Sequence, residues 1–191
     1  MTKGRLEAFS DGVVAILITI MVLELRIPHG AGWEALRPMI PDFSTYVLSF
    51  VLLGIYWNNH HHMLHTAERI NGRILWANLH LLFWLSLFPV VTGWMGGSHF
   101  APAPTAVYGV VMLLAAVAYT ILQAAIVAEH GPGSKLAAAL GKDVKGKVSL
   151  VAYAAAVACA FVAPWISAAI YGLVALMWLA PDPRIESRMR D

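Results

Sequence analysis

Residues 5–26 read Arg5-Leu6-Glu7-Ala8-Phe9-Ser10-Asp11-Gly12-Val13-Val14-Ala15-Ile16-Leu17-Ile18-Thr19-Ile20-Met21-Val22-Leu23-Glu24-Leu25-Arg26. No charge falls between Asp11 and Glu24, and the ionisable side chains gather toward the two ends. A helix of about 20 mostly apolar residues spans the ~30 Å of a bilayer's hydrocarbon, so a first transmembrane helix is expected over residues 7–26. Lys3 and Arg5 ahead of an apolar run also open a signal peptide, but Asp11 interrupts this one, and Glu24 and Arg26 stand where a cleavage site needs small residues. The helix is therefore expected to be retained.

Similar apolar runs recur at residues 41–65, 73–96, 104–128, 148–163 and 165–180. The chain as a whole suits the same solvent: its 191 residues are 59% hydrophobic and 13% charged, whereas a soluble domain carries roughly 25% charged residues. Trp33, Trp94, Trp165 and Trp178 fall near the ends of these runs, where amphipathic rings anchor a helix at the interface. Connections are short, so no sizeable domain is expected outside the membrane. The longest polar one, from His130 to Lys147, opens with the helix terminator Gly131-Pro132-Gly133. The expected fold is an all-α membrane protein, a single domain of six transmembrane helices over residues 1–191. Only Ala163-Pro164-Trp165 separates the last two runs. They form either a tight helical hairpin or one long broken segment.

Charge placement favours the hairpin. With six spans, Lys3, Arg5, Arg69, Arg73, Lys135, Lys142, Lys145, Lys147, Arg184, Arg188 and Arg190 share one side, and only Arg26 and Arg37 face the other. Basic segments mark the cytoplasmic face, so a multi-pass protein of the cell membrane with both termini in the cytoplasm is expected. No basic cluster is dense enough to engage nucleic acid. The lone Cys159 allows neither an internal disulfide nor a cysteine metal cluster.

At helical spacing the first span presents Gly12, Ala15, Ile16, Thr19, Ile20 and Leu23 along one broad stripe. Small residues let another helix approach closely. Bulky Ile16, Ile20 and Leu23 cannot hydrate an ion, yet a ring of such side chains about a symmetry axis makes a narrow constriction that gates by dewetting. Lipid contact or core packing accounts for the same stripe equally well. Asp11 lies about one and a half turns past Arg5, and charge at membrane depth finds a partner or water. Arg5, Ser10 and Asp11 either share a polar network with other helices or cap the helix at the interface.

Arg5, Phe9, Ser10 and Asp11 form an Arg-x-x-x-Phe-Ser-Asp pattern, and further blocks follow in Tyr56-Trp57-Asn58-Asn59-His60-His61-His62, Leu75-Trp76-Ala77-Asn78-Leu79 and Phe88-Pro89-Val90-Val91-Thr92. In these blocks the chain resembles the shorter prokaryotic members of the lysosomal transmembrane-protein-175 potassium channel family, with the likeness carried by its first half. The resemblance implies a six-helix subunit assembled as a homotetramer, with the first helix lining a central pore for potassium and other monovalent cations. It places the constriction at Ile16, Ile20 and Leu23, and at Thr19 a hydroxyl that borders the constriction. It makes Arg5, Phe9, Ser10, Asp11, Trp57, His61 and Asn78 a structural network holding the pore helix. No Thr-Val-Gly-Tyr-Gly filter occurs in the chain, as the resemblance implies.

His60, His61, His62 and His65 form the densest titratable cluster. His61 and His65 share a helix face at a spacing that holds zinc, with Glu68 nearby. The family resemblance instead turns members of the cluster toward Ser10 and Asp11, and an imidazole's ordinary pKa near about 6.5 also makes the cluster a pH sensor. His80, inside the third span, suits haem only if a histidine from another span joins it. A histidine-based metal or haem redox protein and a proton-coupled transporter using Asp11 are therefore the rival readings. No nucleophile elbow, metalloprotease motif or phosphate loop is present. The expectation is a channel subunit, not an enzyme, with no cofactor, no metal, and lipid and its own copies as partners.

Overall fold

The computed structural model describes residues 2–140 and 143–179, and every regular element among them is helical. Helix α1 is Lys3–Met21, followed by a 3-10 turn at Val22–Glu24. A second 3-10 segment, Trp33–Met39, leads into α2, Ile40–His65. Then come α3 (Gly72–Ser86), α4 (Phe88–Gly97), α5 (Pro102–His130), the short α6 (Lys135–Leu140), α7 (Val144–Cys159) and α8 (Pro164–Leu179). By length and composition, the segments Lys3–Glu24, Trp33–His65, Gly72–Gly97 and Pro102–His130 suit membrane crossing, and Pro164–Leu179 is a shorter apolar helix.

Local chemistry sets most of the boundaries. Asn71 caps α3 by accepting from the Ile74 amide at 3.0 Å, and Asp143 caps α7 by accepting from the Gly146 amide at 3.1 Å. Gly131 ends α5 at φ +86°, a conformation that disfavours a side chain. The third predicted span is divided: Leu87 interrupts it between α3 and α4. Pro89 lacks the amide hydrogen that would reach back one turn, so the ladder cannot run on unbroken. The fifth and sixth apolar runs correspond to α7 and α8, which pack as a helical hairpin with the first ending at Cys159, short of the expected residue 163, and Ser167 Oγ donates to the Ala156 carbonyl across it at 2.7 Å. Of the basic residues used to orient the chain, Lys142, Arg184, Arg188 and Arg190 lie outside the described residues.

Helix α5 packs against α3, α4, α7 and α8, while α1 lies at one side against α2, α3 and α4. Cross-contacts define two ends of the bundle. At one, Lys3 Nζ donates to the His65 carbonyl, and Asn71 Nδ2 donates to Glu129 Oε2. At the other, Gly96 of α4 permits close contact with the first turn of α2: a Cβ there would lie 2.7 Å from Asp42 Cα. The core between them holds a buried polar chain, Thr92 to Ser49 at 2.6 Å and Ser49 to Tyr108 at 2.9 Å, which satisfies three hydroxyls away from water.

Candidate functional site

Helix α1 has two unlike faces. Leu6, Ser10, Val14, Leu17 and Met21 are buried against the bundle. Opposite them, Phe9 is 51% exposed, Ile16 57%, Ile20 40% and Leu23 78%, and Gly12, Ala15 and Thr19 are also exposed. The expected stripe is thus the face that the protomer leaves uncovered. The α-helix itself stops at Met21, short of the expected residue 26, so Leu23 sits in the 3-10 turn. Thr19 Oγ1 donates to the carbonyls of Ile16 at 2.9 Å and Ala15 at 3.1 Å. A hydroxyl has one proton and two lone pairs, so this oxygen still offers acceptor capacity on the exposed face.

The buried face is tied down by two sets of hydrogen bonds. In the first, Asn78 Nδ2 of α3 donates to Ser10 Oγ at 3.0 Å, and Ser10 Oγ donates to the Leu6 carbonyl at 2.9 Å. The Asn78 side-chain oxygen can only accept, so His60 Nε2 must carry the proton in their 2.6 Å bond. Ser10, His60 and Asn78 are all buried. In the second, Trp57 Nε1 donates to Asp11 Oδ1 at 2.9 Å, a bond strengthened by the carboxylate charge. His61 lies one turn beyond Trp57 and stacks its ring on the indole, 6.2 Å between centroids at 29°.

Among the predicted network residues, the structure therefore joins Ser10 with Asn78 and Asp11 with Trp57, and sets His61 behind Trp57. Arg5 and Phe9 lie on the exposed face, where the Arg5 guanidinium makes no hydrogen bond or ion pair among the described residues. His60 was not singled out from its neighbours by sequence reasoning. Its spacing of three from Trp57 was the available signal, since both residues then reach the side of α2 that meets α1 and α3. His61 and His65 stack at 6.3 Å, His80 Nε2 accepts from Trp84 Nε1 at 2.9 Å, and no three histidine, cysteine or acidic side chains among the described residues gather as metal ligands.

Comparison with known proteins gives a consistent picture. The sequence profile of the family described as the endosomal/lysosomal potassium channel TMEM175 matches residues 5–89. A potassium channel from a Chryseobacterium species is 53% identical over 191 residues, covering all of both chains. A potassium channel from Streptomyces collinus is 32% identical, covering 92% of this chain and 91% of that protein. The crystal structure of a lysosomal potassium-selective channel TMEM175 homolog from Chamaesiphon minutus superimposes with a TM-score of 0.78 at 26% identity, over 93% of this chain and 96% of that one.

Proposed function

This chain belongs to the TMEM175 potassium-channel family, and we propose that four copies of it enclose a potassium-permeable pore in the cell membrane. The uncovered face of α1 carries the reading. Phe9, Ile16, Ile20 and Leu23 are large apolar side chains that the protomer does not bury, although the opposite face of the same helix is packed and hydrogen-bonded. One helix cannot surround a channel, whereas four copies about an axis bring these faces together. Ile16, Ile20 and Leu23 then narrow the path, and Thr19 supplies an oxygen to a cation that has shed part of its water. Ser10, Asp11, Trp57, His60, His61 and Asn78 fix the helix against its own bundle and stay away from the ion. Six crossings per subunit, counting α7 and α8, put both termini in the cytoplasm.

Planar-bilayer recording of the reconstituted protein tests this directly. Potassium-selective unitary currents are expected, with the reversal potential following the potassium gradient when sodium replaces it on one side. Ile16→Ala and Ile20→Ala are expected to raise conductance or weaken discrimination between the two ions. Unchanged permeation in both variants would remove α1 from the pore, and saturable flux driven by a pH gradient, without unitary steps, would replace the channel with a proton-coupled transporter.

A further inference from the structure

We propose that His130 is an acid-labile latch that holds the connector between α2 and α3 onto the end of α5. Its ring makes three hydrogen bonds that together fix its protonation. The backbone amides of Glu68 and Arg69 both donate to Nε2, at 3.0 and 3.1 Å. A nitrogen that accepts two N–H groups carries no proton of its own, so the proton of the neutral ring sits on Nδ1. From there it is donated to the Ile126 carbonyl at 2.9 Å. The imidazole is thus used at both nitrogens in its neutral form. Adding a proton at Nε2 turns the shared acceptor into a third donor aimed at two others, and both connector bonds are lost.

The latch closes a corner that matters to α1. The connector, residues 66–71, runs from the end of α2, where His65 accepts from Lys3 Nζ, to Asn71, which caps α3. Ala67 within it is buried, so the segment is packed as well as hydrogen-bonded. Loosening it releases the end of α2 that receives the first turn of α1. The charged and titratable groups on the segments meeting here are Lys3 of α1, Glu68 and Arg69 of the connector, Arg73 in the first turn of α3, His65 of α2 and Glu129 of α5. Glu129 already accepts from Asn71 Nδ2, which makes it the main competing site for an acid response.

Amide hydrogen exchange of the full-length protein in lipid, corrected for the intrinsic pH dependence of exchange, reads the latch without requiring conduction. Between about pH 8 and about pH 5, the Glu68 and Arg69 amides are expected to lose protection about tenfold, as fits two lost hydrogen bonds. His130→Gln, which keeps an acceptor but cannot take up the proton, is expected to show the same protection at both pH values. His130→Leu is expected to be unprotected at both. Wild-type protection that is equal at the two pH values overturns the proposal. So does a His130→Gln variant that loses protection as the wild type does, and in that case Glu129→Gln identifies whether the carboxylate is responsible.

Discussion

Asn78 donates to Ser10 Oγ across 3.0 Å while its own oxygen accepts from His60, so one amide joins α1, α2 and α3. All three side chains are buried, and each polar group left without a partner costs about 1–3 kcal/mol. Asn78→Leu is therefore expected to lower the thermal stability of the purified protein by that amount or more. An unaltered melting temperature in detergent would show that the amide does not hold the three helices.

Trp57 and Asp11 form the second tie. Trp57→Phe leaves a smaller aromatic ring beside His61 but removes the N–H that reaches Asp11 Oδ1. Because a hydrogen bond to a charged group is worth about 1.5–3 kcal/mol and this pair is partly solvated, a loss of about 1 kcal/mol is expected. Asp11→Asn, which retains an acceptor, is expected to cost less. Denaturant titration of both variants decides the order, and a larger loss in Asp11→Asn contradicts it.

The exposed face of α1 makes a geometric prediction about assembly. Ile20→Cys, made with Cys159→Ser so that the new thiol stands alone, is expected to form disulfide-linked dimers on mild oxidation in the membrane. A thiol at Val14, which is buried inside the protomer, is expected to stay monomeric on the same denaturing gel. Equal crosslinking at the two positions is incompatible with copies meeting along this face.

Gly96 is expected to tolerate no side chain. A Cβ there would sit 2.7 Å from the Asp42 backbone and 2.5 Å from Thr45 Oγ1, and crowding of this kind costs about 1–3 kcal/mol. Gly172, with open space around its Cα, is the comparison. Gly172→Ala is expected to be neutral or to stabilise by up to about 1 kcal/mol, as glycine does poorly inside a helix. Parallel melting curves of Gly96→Ala and Gly172→Ala test the difference.

Much of this architecture could be read from the sequence because it depends on one-dimensional patterns. The uninterrupted run from Gly12 to Leu23 placed the first helix, and charge placement, more than Ala163-Pro164-Trp165 by itself, favoured a turn between the last two runs. The stripe through Gly12, Ile16 and Ile20 was visible as spacing, and it is the face the protomer leaves open. What escaped was the rotational phase of helices that are apolar all round. His60 and His61 are neighbours, and only the packing of α2 against α1 and α3 decides that the first is buried with Asn78 while the second stacks outside on Trp57. His130 had no signal of its own, because its partners are two backbone amides some sixty positions away. The split at Leu87 is half legible, because Pro89 removes one backbone donor, yet a proline by itself does not tell a bend from a complete interruption.

Among the described residues, the two helices of the α7–α8 hairpin have sixteen residues each. At 1.5 Å per residue each reaches about 24 Å, several ångströms less than the hydrocarbon thickness of a typical bilayer. In the proposed six-crossing arrangement, lipid beside this hairpin would compress or tilt its chains, at a cost of a fraction of a kcal/mol for each ångström of mismatch. Such a subunit would deform its surroundings unevenly, strongly on the hairpin side and little beside α5, whose 29 residues exceed the span. Acyl-chain length in the host membrane becomes a variable that acts on one flank of the protein at a time.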